Sequence, residues 1–254
     1  MRLTKKNYYS DRANLEYMSV SQFKEFQKCE AAALAQLRGE YTRPKTTALL
    51  VGSYVDAWFE GTLDQFKAEN PEIFKRDGSL KSEYVHAEYI IERIKQDNLF
   101  MELMGGRKQV IRTGEICGVP FKIKMDSYKK GKAIVDLKVV RDFAPIWVAG
   151  QGKLNFIEAW GYDLQGVAYQ AIEGNHLPFI IAAATKEPEP DIGVWEIDQA
   201  HLNAAMDELE SNIQRYAMLK LGIGEPVRCE RCDYCKRSKV LNTIQNMEEL
   251  DNYE

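Results

Sequence analysis

Two short strand patterns joined by a Lys-Lys-Gly-Lys turn constrain this chain more than any other feature. They occupy residues 123–138, with the sequence IKMDSYKKGKAIVDLK. Side chains two apart share a strand face, which groups Asp126 with Lys124 and Asp136 with Lys138. If the strands pair antiparallel, two carboxylates and an ammonium meet on one face. Burying them requires a metal or a balancing cation, and the alternative is an edge hairpin with solvated charges.

Composition is typical of a soluble globular protein and limits the kinds of partner. The 254 residues are 45% hydrophobic and 28% charged, with a net charge of −4, which disfavours non-specific coating of nucleic acid. No apolar run approaches the ~20 residues of a membrane span, and the N-terminus lacks a signal-peptide core. We expect a cytoplasmic protein, whose five cysteines serve as metal ligands, catalytic groups or buried thiols.

The order of the predicted elements indicates an α/β fold of the mixed α+β kind, with a central mixed β-sheet flanked by helices. Three helical patterns precede a three-stranded meander, and a helix, two strands and a long helix follow it. In the third helix, the side chains predicted to face the core are Val85, Tyr89, Ile90, Ile94 and Leu99. The predicted helices cover residues 19–38, 46–61, 82–104, 160–174 and 199–221.

A single domain is predicted over residues 1–254, since no linker-like stretch divides it. Residues 1–18 are polar without a sustained period and are predicted to form an extended arm. Residues 19–240 form the predicted core, and residues 241–254 are an acidic tail.

Three cysteines follow one another at two-residue intervals near the C-terminus: Cys229, Cys232 and Cys235. Thiolates so spaced can surround one soft centre, either zinc or an iron–sulfur cluster. Such a site needs a fourth ligand, and the remaining cysteines are Cys29 and Cys117. The alternative is a set of reduced surface thiols, which would be prone to oxidation. Cys117 is expected in the core.

The hairpin resembles the active site of the PD-(D/E)xK nuclease superfamily, in which an Asp precedes a downstream (D/E)-x-K. Here those positions are Asp126 and Asp136-Leu137-Lys138. The resemblance implies a restriction-endonuclease-like core.

Two helical motifs resemble the exonuclease branch of that superfamily. Gly52 to Asp56 stands where the branch has Gly-x-x-x-His, and Gln165 to Tyr169 matches its Gln-x-x-x-Tyr. Asp56 replaces the histidine, and a carboxylate suits a hard cation at least as well as imidazole does. Over residues 19–240 the overall resemblance is to RecE-type phage and prophage exonucleases, the exodeoxyribonuclease VIII group.

The cysteines resemble the split pattern of AddB-type nuclease domains, in which one upstream and three C-terminal cysteines hold a [4Fe–4S] cluster. In this chain the four are Cys29, Cys229, Cys232 and Cys235. The last spacing departs from that pattern, because two residues separate the final pair where AddB-type domains have five. Zn²⁺ is therefore an alternative to the cluster.

The resemblance also implies roles for the site residues. Lys138 would orient or help to deprotonate the attacking water, while Gln165 and Tyr169 would position the scissile phosphate or the terminal nucleotide. Glu115 is a weaker candidate for a further metal ligand. The implied ligands of one or two Mg²⁺ or Mn²⁺ ions are Asp56, Asp126, Asp136 and the backbone carbonyl of Leu137.

Lysines crowd the hairpin and could contact DNA phosphates despite the acidic total charge. The predicted DNA-binding set is Lys122, Lys124, Lys129 and Lys130, with Lys132 beside it.

The function that follows from the resemblance is metal-dependent degradation of linear double-stranded DNA from its ends. No phosphate-binding Walker loop is present, so ATP is not required. The resemblance implies 5′→3′ polarity, phage-type recombination with a single-strand annealing partner, and a homo-oligomer. The alternatives are a PD-(D/E)xK endonuclease or CRISPR-adaptation-type nuclease, and a non-catalytic DNA-binding or scaffold protein.

Overall fold

A mixed β-sheet with helices on both faces forms the centre of the protein in this computed structural model, which describes residues 1–244 and 246–247. The predicted fold class, a restriction-endonuclease-like mixed α/β core, is confirmed. Most of the predicted acidic tail lies outside the described residues. The strands are β1 Arg107–Ile116, β2 Val119–Lys129, β3 Ala133–Val140, β4 Ile146–Val148, β5 Gly152–Leu154, β6 Phe179–Thr185 and β7 Ile192–Glu196.

Eleven α-helices occur within the described residues, together with one 3₁₀ turn at Pro71–Ile73. Among those residues, no helix combines the length and apolarity needed to cross a bilayer. The helices are α1 Asp11–Glu16, α2 Val20–Lys28, α3 Glu30–Leu37, α4 Thr47–Glu60, α5 Leu63–Glu69, α6 Ser82–Lys95, α7 Asn98–Met104, α8 Phe156–Ala159, α9 Tyr162–Glu173, α10 Gln199–Lys220 and α11 Asp233–Arg237.

The sheet has the strand order β1-β2-β3-β6-β7. Strand β2 pairs antiparallel with β1 on one side and with β3 on the other, as the predicted meander requires. Strand β6 pairs in parallel with β3, with Asp136 opposite Ile181. A parallel pair needs a crossover connection, and α8 and α9 lie in that connection.

The pairing of β2 is irregular at Asp126. The β1–β2 register runs on both sides of this position but lacks a pair between Gln109 and Asp126, and Gln109 has a φ of 54°. The β2–β3 register extends no further than Ser127 and Val135. Met125 and Tyr128 are three residues apart, yet both belong to the same core cluster. The register is the same on both sides of the gap, so no residue is inserted, but strict alternation breaks here and redirects the Asp126 side chain.

Apolar side chains cover both faces of the sheet. On one face, Ile123 and Met125 of β2 pack in the cluster that α9 and α10 complete. On the other, Val135 and Leu137 of β3 pack in the cluster of α4 and α6. Strand β3 is therefore buried on both sides, and a charged residue within it needs a partner.

The N-terminal segment, residues 1–18, is folded rather than extended, which corrects the predicted arm. It contains α1, and Met18 forms a parallel bridge to Phe121. The Lys122 ammonium, 1% exposed, donates to the Tyr8 carbonyl at 2.6 Å and to Asn14 Oδ1 at 2.7 Å. These anchors are polar, so hydrophobic periodicity could not reveal them.

Two predicted helices are each divided in the structure. The first breaks at Cys29, whose φ of −168° and ψ of 109° are extended and whose sulfur caps α3. The third ends after Lys95 and restarts at Asn98, with Asp97 as its N-cap. That break changes the helical phase. Leu99, which was predicted to face the core, follows the break and is consequently exposed. Val85 and Tyr89, also predicted to face the core, lie before the break; they are exposed because Tyr84, Ala87 and Ile91 complete the buried face of α6 with Ile90 and Ile94.

Cys117 is exposed, which corrects its expected burial. It lies in the tight turn between β1 and β2 with a φ of 50°, and a turn at the end of a hairpin projects into solvent.

Candidate active site

A cavity of about 530 Å³ opens between the hairpin, α4 and α9. We call it the catalytic cavity. Its walls bring together residues from distant parts of the sequence, including the four ligands of Mg²⁺ or Mn²⁺ that the resemblance implies and every predicted catalytic residue. Those residues are Asp56, Asp126, Asp136, Leu137, Lys138, Gln165 and Tyr169.

Asp126 faces the gap where β2 and β3 separate. Its Oδ2 accepts the backbone N–H of Leu137 at 3.0 Å, and its Oδ1 accepts from Gln109 Nε2 at 3.3 Å. Burial and the carboxylates of Asp136 and Asp56 raise its pKa well above the usual range. The irregular pairing thus places a carboxylate against the next strand, where it needs a cation or a proton.

Asp136 lies on β3 and is 2% exposed. Its Oδ1 accepts from Gln165 Nε2 at 2.5 Å, and its Oδ2 lies 2.5 Å from Lys138 Nζ. Lys138 also donates to Gln165 Oε1 at 3.0 Å. Burial alone would lower the pKa of Lys138, but Asp136 reverses this and raises it. The three side chains form a closed ring of polar contacts that holds Lys138 as a cation.

Asp56 enters the cavity from α4, one helical turn after Gly52. Its buried Oδ1 has no hydrogen-bond partner. Burial, and then the Glu60 carboxylate, raise the pKa of Asp56 to about 7. Lys124 Nζ lies 3.9 Å from Glu60 Oε1 and reduces the local negative charge.

Tyr169 and Gln165 project from the same face of α9, as their spacing predicts. Gln165 contacts the ring just described, whereas Tyr169 donates its hydroxyl to the Lys124 carbonyl at 2.9 Å. Tyr162, one turn earlier, has its ring centroid 4.6 Å from Lys138 Nζ. Helix α9 therefore fixes both the Lys138 ammonium and the backbone of β2.

The donor set fits a hard divalent cation. Three carboxylates share the cavity, the buried Asp136 and the half-buried Asp56 and Asp126. Asp56 and Asp126 have raised pKa values, and Asp56 Oδ1 has no donor. Carboxylate and carbonyl oxygens are the ligands that Mg²⁺ and Mn²⁺ prefer. Within the described residues, only the four-cysteine group has all its ligand atoms within 4.8 Å of one another. The oxygens of the three carboxylates are thus farther apart than the ligand atoms of a single bound ion.

The predicted DNA-binding lysines separate into three environments. Lys122 is a correction: its buried ammonium holds the N-terminal segment and is not available to a phosphate. Lys124 lines the catalytic cavity. Lys129 binds Glu102 at 3.0 Å, while Lys130 and Lys132 are exposed at the hairpin turn, outside the cavity walls.

Glu115, the weaker candidate for a metal ligand, is exposed near the end of β1. It is absent from the walls of the catalytic cavity. The structure therefore places it as a solvated strand acid.

Several cavity residues were not predicted, because they lie on elements whose placement depends on tertiary contacts. Lys24 and Lys28 come from α2, where a helical lysine is usually a solvated charge. Burial and the nearby Lys138 charge lower the pKa of Lys24 to about 8. The aromatic residues missed are Tyr8 and Tyr9.

The four predicted cysteines converge at a second site, formed by α3 and α11. Their sulfurs all lie within 4.8 Å of one another, with Cys29 Sγ 3.5 Å and Cys229 Sγ 4.0 Å from Cys235 Sγ. Four sulfurs arranged tetrahedrally at ~2.3 Å from one zinc ion lie about 3.8 Å apart. In a [4Fe–4S] cluster each thiolate binds a different iron, so the sulfurs stand farther apart.

An ion pair reinforces this junction of distant segments. Arg215 on α10 donates to both oxygens of Glu30, at 2.5 and 2.6 Å. Glu30 Oε2 also accepts the Val227 backbone N–H at 2.7 Å. Glu30 starts α3 directly after Cys29, so these contacts attach the C-terminal segment to the helix that the cysteine caps.

A restriction-endonuclease-like sheet carrying an Asp and an Asp-x-Lys on its central hairpin defines the PD-(D/E)xK class of nucleases. The chain belongs to the PDDEXK-like family described as a domain of unknown function (DUF3799), which it matches over residues 19–238. A crystal structure from Eubacterium rectale, of a protein provisionally named an exonuclease, is similar over 98% of both chains, with 49% identity and a TM-score of 0.95. A search of curated proteins gives no match.

Proposed function

We propose that this protein is a metal-dependent, ATP-independent exonuclease that degrades linear double-stranded DNA from its ends. The observation that carries the proposal is the convergence of Asp56, Asp126, Asp136 and Lys138 in one cavity. The provisional name of the Eubacterium rectale protein supports the hypothesis of an exonuclease over that of an endonuclease. A non-catalytic scaffold would not need buried carboxylates with raised pKa values, which weaken folding unless they bind something.

In this proposal, Asp56, Asp126, Asp136 and the Leu137 carbonyl hold one or two Mg²⁺ or Mn²⁺ ions. A divalent cation there supplies charge neutralisation and a more acidic water for attack on the phosphodiester. Lys138, held by Asp136 and Gln165, orients the attacking water toward phosphorus. Gln165 can also donate to a phosphate oxygen when it releases Asp136 Oδ1.

The finer assignment follows the RecE-type resemblance. We propose 5′→3′ polarity, a homo-oligomer acting in the cytoplasm, and transfer of the remaining strand to an annealing protein in phage-type recombination. The nuclease domain is proposed to span residues 1–254. Lys24, Lys28 and Lys124 are the proposed phosphate contacts near the site, since they line the catalytic cavity.

The test compares linear, nicked and closed circular DNA of one sequence, with Mg²⁺ and with chelator. We expect loss of linear duplex in Mg²⁺ alone, and fluorescent labels at each end identify the polarity. Cutting of closed circles would instead assign an endonuclease. Intact DNA of all three forms in Mg²⁺ or Mn²⁺ would contradict a nuclease.

We predict that Asp56 makes stability depend on pH. Its folded-state pKa of about 7 exceeds the ~3.9 of an unfolded Asp. The folded protein therefore binds more protons between these values, and the free energy of unfolding falls as pH rises from about 4 to 7. Denaturant titrations at several pH values, without added divalent cations, measure this slope.

Asp56→Asn is the matched variant, because it keeps the shape and removes the titration. The unfolding free energy of the wild-type protein should therefore fall relative to that of the variant as pH rises from about 4 to 7. Mg²⁺ should raise the wild-type melting temperature at pH 8 more than that of the variant. Parallel pH profiles with equal responses to Mg²⁺ would contradict the prediction.

For the cysteine site we propose a single tetrahedral Zn²⁺, with [4Fe–4S] as the alternative from the AddB-type resemblance. The short sulfur–sulfur separations support zinc, as does the departure in cysteine spacing. Its role is structural, since four thiolates leave no open coordination position for a substrate.

A further inference from the structure

A smaller cavity of about 230 Å³ adjoins the catalytic cavity, between residues 8–14 and helices α2 and α3. We call it the side cavity. The wall residues that the two cavities share are Tyr8, Tyr9, Ser19, Ser21, Glu25 and Lys122. A group entering the side cavity would thus lie beside one bound in the catalytic cavity. The side cavity is smaller than the ~300–1,000 Å³ of drug-sized ligand sites, which suits a single nucleotide base.

The walls of the side cavity combine aromatic rings with amides. Tyr8, Tyr9 and Phe26 supply the rings. The amides of Asn14 and Gln22 are already committed: Asn14 Oδ1 accepts from Lys122, and Gln22 Nε2 donates to the Asn14 carbonyl at 2.9 Å. Stacking on a ring is therefore the mode of recognition that these walls favour, with the exposed Gln36 as the remaining side-chain amide. Stacking tolerates any base because every base has a π-face.

Both cavities contain carboxylates, and Glu25 lines both, but their lysines differ. Lys24, Lys28 and Lys124 line the catalytic cavity and not the side cavity. Among the side-cavity walls the cation is Lys122, whose ammonium already donates to Tyr8 and Asn14. A phosphate is therefore attracted toward the catalytic cavity, and the uncharged base is the part of the nucleotide that suits the side cavity.

Tyr9 lies at the boundary and is 67% exposed. Its ring meets Tyr8 edge to face, with centroids 4.9 Å apart, and Lys124 Nζ is 4.9 Å from its centroid. The segment that carries it is fixed by the buried Lys122 contacts. A large exposed ring on an anchored segment is a preorganised stacking surface, with an ammonium beside it for a phosphate.

We propose that the side cavity takes the base of the nucleotide next to the scissile phosphate at a DNA end, stacked on Tyr9. The inference rests on the proposed function and extends it to an unassigned binding subsite. It assigns Tyr9 as a substrate-contacting residue. It also predicts binding of the end nucleotide without preference among the four bases.

The test measures binding by a cleavage-deficient protein, Asp136→Asn, to DNA ends with and without an abasic nucleotide. Base stacking contributes ~1–3 kcal/mol per base, so Tyr9→Ala should raise the Kd for an intact end by about 5- to 150-fold. In the protein that retains Tyr9, an abasic nucleotide in one of the terminal few positions should raise the Kd by a similar factor. In the Tyr9→Ala protein the abasic nucleotide should raise the Kd little further, since the two changes remove the same contact.

Tyr9→Trp should keep tight binding because it retains an aromatic face. Tyr89→Ala is the matched control, an exposed tyrosine on α6 outside both cavities, and it should leave the Kd unchanged. Additive effects of Tyr9→Ala and the abasic nucleotide at every position would overturn the inference. If wild-type protein still cleaves DNA in that case, only the side-cavity assignment fails. If it neither cleaves DNA nor binds an end, the proposed function fails.

Discussion

Asp136→Asn is expected to reduce Mg²⁺-dependent cleavage of linear DNA by about 10³-fold or more. The change removes a ligand charge from the centre of the site, and metal stabilisation of a transition state is worth several kcal/mol. It also deprives Lys138 of its 2.5 Å ion-pair partner. Single-turnover rates on an end-labelled duplex measure the loss without interference from product release.

Glu115→Gln is the matched control for that variant. It removes an exposed carboxylate from the same sheet, outside the cavity walls, and should leave the rate within about twofold, as expected of a surface change. Melting curves show whether the Asp136→Asn protein folds. A folded Asp136→Asn protein that cleaves at the parent rate would remove Asp136 from the proposed site.

Cys235→Ser is expected to release the bound metal and to lower the melting temperature by about 6–12 °C. The thiol is fully buried between α3 and α11, and a three-ligand site binds its ion weakly. A shift of that size corresponds to about 3 kcal/mol for a chain of this length. Metal content per chain and calorimetry on the purified protein measure the two effects.

Cys117→Ser provides the control, because Cys117 is exposed and lies outside the four-cysteine group. It should keep one zinc per chain and the parent melting temperature. Iron with acid-labile sulfide, together with a brown colour on anaerobic purification, would show that the site holds a [4Fe–4S] cluster and not zinc. Full metal content and an unchanged melting temperature in Cys235→Ser would contradict a structural site altogether.

Local sequence predicted the hairpin well, since alternating apolar residues, a turn and β-branched residues fall within one window. It did not predict how Asp126 reaches Asp136. Strict alternation would place the Asp126 side chain on the same strand face as Lys124. The pairing gap between Asp126 and Gln109 instead directs this side chain into the space between β2 and β3. Such a gap depends on both neighbouring strands at once, which no pattern in β2 alone encodes.

The N-terminal segment shows the opposite case, in which the sequence pattern misled. Its polar residues favoured an extended arm, yet the segment supplies the hydrogen-bond acceptors of the buried Lys122. Lys122 lies 114 residues after Tyr8 in the sequence. Lysine is rarely buried without partners, so composition alone suggested an exposed DNA contact for Lys122. Only the folded chain reveals that this cation anchors the wall that carries Tyr9.

By itself, the sequence determined which groups this protein can use: an Asp and an Asp-x-Lys on a hairpin, an acid on an upstream helix, and four cysteines near opposite ends of the chain. Residue chemistry and short-range periodicity carry that information. Tertiary structure alone decided that the sulfurs stand within 4.8 Å, that α2 and the N-terminal segment complete the cavity, and that Lys122 is buried. Those outcomes depend on contacts between residues far apart in the chain, whose free energy is set by packing rather than by local pattern.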